Sequence, residues 1–159
     1  MKLKISTILL SVVVFLLVSC APTSNADTPL PAVSFTVIAS GDNTVSNQPA
    51  TRKLEIYTDQ AAFNSSFYFF LIPIREHTVD FSTRRVALLS LGGRPTGGYS
   101  ISAEKIEDHG EFIKASVVIT KPGSTCVVTQ ARTSPHQFIE VESVKELLFE
   151  DRVEVVNCI

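Results

Sequence analysis

Three histidines, His77, His109 and His136, and three cysteines, Cys20, Cys126 and Cys158, are the side chains best suited to proton transfer, nucleophilic attack or metal binding. Their spacing argues against all three chemistries. No histidine lies in a His-Glu-x-x-His pattern, and neither Cys126 nor Cys158 has a His or Cys near it at ligand spacing. A Gly-x-Ser-x-Gly elbow and a phosphate loop are also missing. Solvated surface histidines are the expected state, ahead of a Ser, His and Asp triad assembled by folding. The expectation is a protein that is not an enzyme, with no catalytic residue, no metal and no cofactor.

The segment Gly92-Gly93-Arg94-Pro95-Thr96-Gly97-Gly98-Tyr99 stands apart. Glycines at 92, 93, 97 and 98 with Pro95 between them impose an unusual backbone that core packing does not explain. One reading is a wide hairpin loop with a bulge. The other is a rigid, exposed recognition loop, with Arg94 as a planar donor, Thr96 as a hydroxyl and Tyr99 as an amphipathic anchor. A nucleotide cradle would need a strand, a loop and a helix with a following Lys, which this segment lacks.

The elements that must position this loop are mostly strands. Val33 to Ala39 and Leu54 to Thr58 read as short strands separated by a polar loop, Gly41 to Pro49. Asp59 is a plausible N-cap for one short helix to about Ser66, and the apolar run Phe67 to Ile74, interrupted by Pro73, reads as a buried strand by default, with a surface that touches lipid or a partner as the alternative. Arg85 to Leu91 is nearly continuous in apolar residues, so both its faces should be covered. Ile113, Ala115, Val117 and Ile119 alternate with Lys114, Ser116, Val118 and Thr120, and a similar run from Tyr99 to Glu104 precedes Asp108-His109-Gly110. That is an antiparallel hairpin with one inward face. Pro122-Gly123 suits a type II turn into a strand over Cys126 to Thr129. Phe138 to Val141 and Val153 to Val156 add two more strands, while Ser143 to Glu150 fits a helical turn or a kinked strand. The fold class is mainly β: an antiparallel β-sandwich or open barrel with one short helix.

The chain begins with Lys2 and Lys4, an apolar run from Ile5 to Val18, and then Ser19-Cys20. The run is short for a permanent span and suits a cleaved signal. Leu17-Val18-Ser19-Cys20 resembles the bacterial lipobox, which implies lipid on the Cys20 sulfur and Cys20 as the mature N-terminus. Residues 1–19 are then signal peptide, 20–31 a flexible tether rich in Pro, Thr, Ser and Asn, and 32–159 a single domain. Losing Lys2 and Lys4 takes the formal charge of −2 to −4, which leaves no basic field for nucleic acid. Export also places Cys126 and Cys158 where disulfides persist, so a bridge is the economical assignment, with two free buried thiols as the alternative. The expected location is the bacterial cell envelope, lipid-anchored. Ala21 in place of an Asp after the lipidated cysteine leans toward the outer membrane, facing periplasm or surface.

Several stretches together resemble the PrcB family of protease-complex subunits. They are Val79-Asp80-Phe81-Ser82, Val86 to Gly92, Arg94 to Ile101, Lys121-Pro122-Gly123 and Val128 to Pro135. The resemblance covers most of the mature chain from about Ile56, and Thr96-Gly97-Gly98-Tyr99 is its most specific element. It implies a secreted or lipid-anchored, non-catalytic protein-binding role, with a protease among the candidate partners. Arg94 to Tyr99 is also similar to the Asn-Pro-Thr-Thr-Gly-Tyr/Phe loop of chagasin-type cysteine-protease inhibitors. Arg94 and Gly97 depart from that pattern, and the chain has no Trp for a second aromatic contact loop. Inhibition of a protease by this loop is the alternative function.

Overall fold

The computed structural model describes residues 29–42, 51–70 and 77–158. In chain order these form β1 (Phe35–Gly41), β2 (Lys53–Tyr57), α1 (Gln60–Phe70), β3 (Arg85–Ser90), β4 (Ser100–Asp108), β5 (Phe112–Pro122), β6 (His136–Val141) and β7 (Glu146–Val156). Two sheets result, ordered β1-β6-β3-β2 and β4-β5-β7. They face each other as a β-sandwich and do not close into a barrel. The helix covers the far side of the four-stranded sheet.

The burial of each strand follows from its place in these layers. On β5, Ile113, Ala115, Val117 and Ile119 are buried while Lys114, Ser116, Val118 and Thr120 remain half-exposed, the signature of a sheet wetted on one face. On β3, Ala87 and Leu89 point into the sandwich, whereas Val86 and Leu88 pack beneath α1. β6 divides the same way, with Ile139 and Val141 inward and Phe138 toward the helix.

Asp59 caps α1, its Oδ1 accepting the Ala62 N–H at 2.9 Å. Phe63, Phe67 and Phe70 then fall on one face at spacings of four and three residues. Their rings surround Phe138 at centroid distances of 6.0, 5.3 and 5.6 Å. The helix therefore runs past Ser66 and absorbs the start of the expected Phe67–Ile74 strand. Tyr68 and Phe69 lie on its exposed side, so the local run is apolar all round and hides the helical period. Residues 71–74 of that expected strand lie outside the described residues, as do residues 43–49 of the expected polar loop.

The chain passes between the sheets at pinned points. Before β1, residues 31–33 lie along β4, with Val33 N–H donating to Ile106 O at 2.9 Å and Asp108 N–H to Pro31 O at 2.8 Å. After β6, Lys145 Nζ donates to both carboxylate oxygens of Asp108 at 2.7 and 2.6 Å. This crossing delivers β7 alongside the start of β5, with Phe112 opposite Glu146, so the two strands run parallel. The sandwich is thus not wholly antiparallel, because a crossing between sheets, unlike a hairpin, does not force the chain to reverse against its neighbour. Ser143 to Glu150 resolves as a short link followed by the first part of β7.

Candidate protein-binding site

The glycine segment joins β3 to β4 and is fastened along its length to the strap of residues 123–135 that joins β5 to β6. Arg94 and Thr133 exchange backbone hydrogen bonds of 2.8 and 3.0 Å, Gly97 N–H donates to Thr129 O at 3.0 Å, and Thr133 Oγ1 donates to Thr96 O at 2.9 Å. Four such bonds hold a loop that lies outside both sheets. Gly98 has φ of 84°, a left-handed conformation, and a Cβ there would come within 2.9 Å of Val128 and 3.1 Å of Pro122. Gly97 has no positive φ. It is needed because a Cβ would collide with the Thr129 hydroxyl.

The side chains divide into inward and outward sets. Arg94 Nη2 donates back to Leu91 O at 2.7 Å, and its guanidinium lies 5.9 Å from the centre of the Tyr99 ring. Tyr99 in turn packs against the core cluster of Leu89, Leu91, Ile101, Val117 and Ile119. Arg94 and Tyr99 therefore brace the loop. Gly97 is buried and Thr96 half-buried, while Pro95 and Gly98 are exposed. The outward surface is one of backbone and proline, framed by the strap.

The strap is braced from its other side by the Cys126–Cys158 disulfide, with Cα atoms 4.7 Å apart. Gly123 N–H donates to Val156 O at 2.8 Å and Cys158 N–H to Thr125 Oγ1 at 3.1 Å, joining the strap to the end of β7. Cys126 to Thr129 has no regular secondary structure and is not the expected strand. The turn also moves: Cys126 N–H donates to Gly123 O at 3.1 Å, and Gly123 has no positive φ, so Pro122-Gly123 is not the centre of a type II turn. Pro122 instead ends β5, and the Gly123 N–H is drawn to β7. Beside the bridge, Val127 is fully exposed at 101%. Its exposure was not legible in the sequence, because an apolar residue next to a cysteine reads as core.

The histidines occupy unrelated structural positions. His77 Nε2 lies 2.7 Å from Glu140, which Arg84 also contacts. Burial alone would push the Glu140 carboxyl up, but the bonds from His77 and Arg84 hold it below the usual range. His109 stacks on Phe112 in the β4–β5 turn. His136 is not the surface residue expected: it is 2% exposed beneath Phe70, with Nδ1 2.8 Å from Ser134 O. Burial pushes its imidazole pKa down. Among the described residues no cluster of three or more His, Cys, Asp or Glu could hold a metal ion. Cys20 lies outside the described residues.

Fold and site together define a small helix-covered β-sandwich that presents a braced glycine loop beside a disulfide-stapled strap. Residues 85–142, from β3 through β6 and including the whole loop, match the family described as PrcB C-terminal. The match begins after Val79-Asp80-Phe81-Ser82 and ends before β7, so it is shorter than the resemblance read from the sequence. No curated protein and no solved structure matches the chain.

Proposed function

We propose that this chain is a lipid-anchored, non-catalytic binding module of a bacterial envelope protease complex. The anchor is Cys20, and the Arg94–Tyr99 loop is the contact surface. The observation that carries this reading is the family match over residues 85–142, which enclose a loop held rigid before any partner arrives. Pre-ordering lowers the entropy cost of binding, and the exposed Pro95, Gly98 and Val127 give a partner apolar and backbone groups to cover. The lipid would hold this surface near the membrane, at the outer membrane facing periplasm or surface.

The test is a crosslinking pull-down of the full chain from its own envelope, comparing wild type with Gly98→Val. A secreted protease should be recovered with wild type and be reduced at least about tenfold with the variant, because a β-branched residue resists positive φ. Recovery of no protease, or equal recovery with a correctly folded variant, would sink the proposal. The activity of the recovered protease separates the two functions: retained activity supports a subunit, and blocked activity supports the inhibitor alternative. Incorporation of labelled fatty acid that disappears in Cys20→Ser tests the anchor.

A further inference from the structure

The outer edge of β7 is unlike the rest of the surface. β7 ends the three-stranded sheet, and among the described residues β5 is its strand neighbour. Its first half is anchored on one face only, with Leu148 on the other face 41% exposed. Leu147 and Phe149 pack into the core, and Arg52 holds Asp151 through two hydrogen bonds of 3.0 and 2.9 Å. The second half is more open: Val153, Val155 and Val156 are 50%, 60% and 50% exposed. Valines along an open strand edge invite another strand, and the charges that flank Val153, Arg152 and Glu154, are of opposite sign, so a copy of the same edge can complement them.

We propose that this edge pairs with the same edge of a second copy, antiparallel, about a two-fold axis at Val153. The proposal is independent of the protease reading. Face alternation restricts the choice, because a two-fold axis perpendicular to the sheet must oppose one residue to itself. Centring on Asp151 opposes two aspartates, centring on Arg152 two arginines, centring on Glu154 two glutamates, and centring on Val155 or Val156 leaves no pair of opposite charges. Centring on Val153 opposes two half-exposed valines and sets Arg152 of each copy against Glu154 of the other. Asp151 then faces Val155, and Glu150 faces Val156. The match in side-chain direction is consistent, since Val153 and Val155 continue the inward face of Leu147 and Phe149, while Arg152 and Glu154 lie on the outward face and already contact each other within one copy. Two three-stranded sheets would become one continuous sheet, with opposite charges meeting across the seam.

Sedimentation of the full chain in detergent and a cysteine scan test this. Val153→Cys should give a crosslinked dimer under oxidising conditions, because opposed Cβ atoms in such a pair lie about 4.5–5.5 Å apart. Val144→Cys, equally exposed but ahead of β7, should not. Arg152→Glu should weaken the dimer about tenfold, and the exchange Arg152→Glu with Glu154→Arg should restore it. Val153→Lys should give a folded monomer whose melting midpoint no longer depends on protein concentration. The proposal is overturned if the wild type sediments as a monomer at every concentration tested, if Val153→Cys and Val144→Cys crosslink equally, or if the charge exchange fails to rescue.

Discussion

The two sheets of this sandwich are built from the same kinds of residue but are stabilised differently. The four-stranded sheet is dry on both faces along its central strands β3 and β6, between the three-stranded sheet and a helix that sets Phe63, Phe67 and Phe70 around Phe138. The three-stranded sheet is dry on one face only. Its other face carries ion pairs such as Lys114–Glu150, Arg152–Glu104 and Lys105–Glu107, and its edge strand ends in a disulfide. Stability thus concentrates in the helix-covered layer, and the half-wetted layer is left with exposed edges and ends available for contact.

This contrast breaks most visibly under core truncation. Phe138→Ala, at a fully buried site shared by three phenylalanine rings, should destabilise by about 3–5 kcal/mol in a denaturant titration. Lys114→Ala on the wetted face should leave the midpoint within experimental scatter, because a solvent-screened ion pair contributes little. If the two variants lose comparable stability, the layers are not energetically distinct.

Next in size is the bridge. Closing the loop between Cys126 and Cys158, 32 residues apart, is worth about 3–4 kcal/mol by chain entropy. Cys158→Ser should therefore lower the melting midpoint, and hydrogen exchange should accelerate chiefly in the strap and the end of β7. Uniform acceleration across β3 and β6 would mean that the bridge supports the whole fold and not the wetted layer alone.

The smallest effect separates the layers by pH. Burial keeps the folded-state pKa of His136 below its ordinary value, so the unfolded chain takes up a proton first. Its contribution is full above the unfolded value of about 6.5 and is lost as pH falls below it. Glu140, also held low, adds a loss of the same sign below about pH 4.3, the ordinary glutamate value. His136→Asn should flatten the fall in melting midpoint between about pH 7 and pH 5. An unchanged slope would show that the dry layer does not contain the titrating group.

Legibility in the sequence followed periodicity. The alternation over Ile113 to Thr120 indicated one wet face, the continuous apolar run over Arg85 to Leu91 indicated two covered faces, and both strands formed accordingly. Phe67 to Phe70 misled because Tyr68 and Phe69 are apolar yet exposed, which erases the contrast that marks a helix. At the loop, glycine content signalled an unusual backbone but not which glycine needs positive φ, and Arg94 read as an outward donor when it bonds to Leu91 O. That assignment depends on where Thr129, Thr133 and Val128 arrive, which local sequence does not encode.

The sequence by itself determined the mainly β class with one short helix, the cap at Asp59, the pairing of Cys126 with Cys158 as the economical bridge, and the special character of Gly92 to Tyr99. These depend on local dihedral preferences, side-chain alternation and the chemistry of the Cys126 and Cys158 thiols. Only the tertiary structure decided that β7 lies parallel to β5, that His136 is buried beneath Phe70, and that the loop is braced against a stapled strap. Those outcomes depend on contacts between residues distant in sequence, where crossings between sheets and competition for burial override the preference of any single segment.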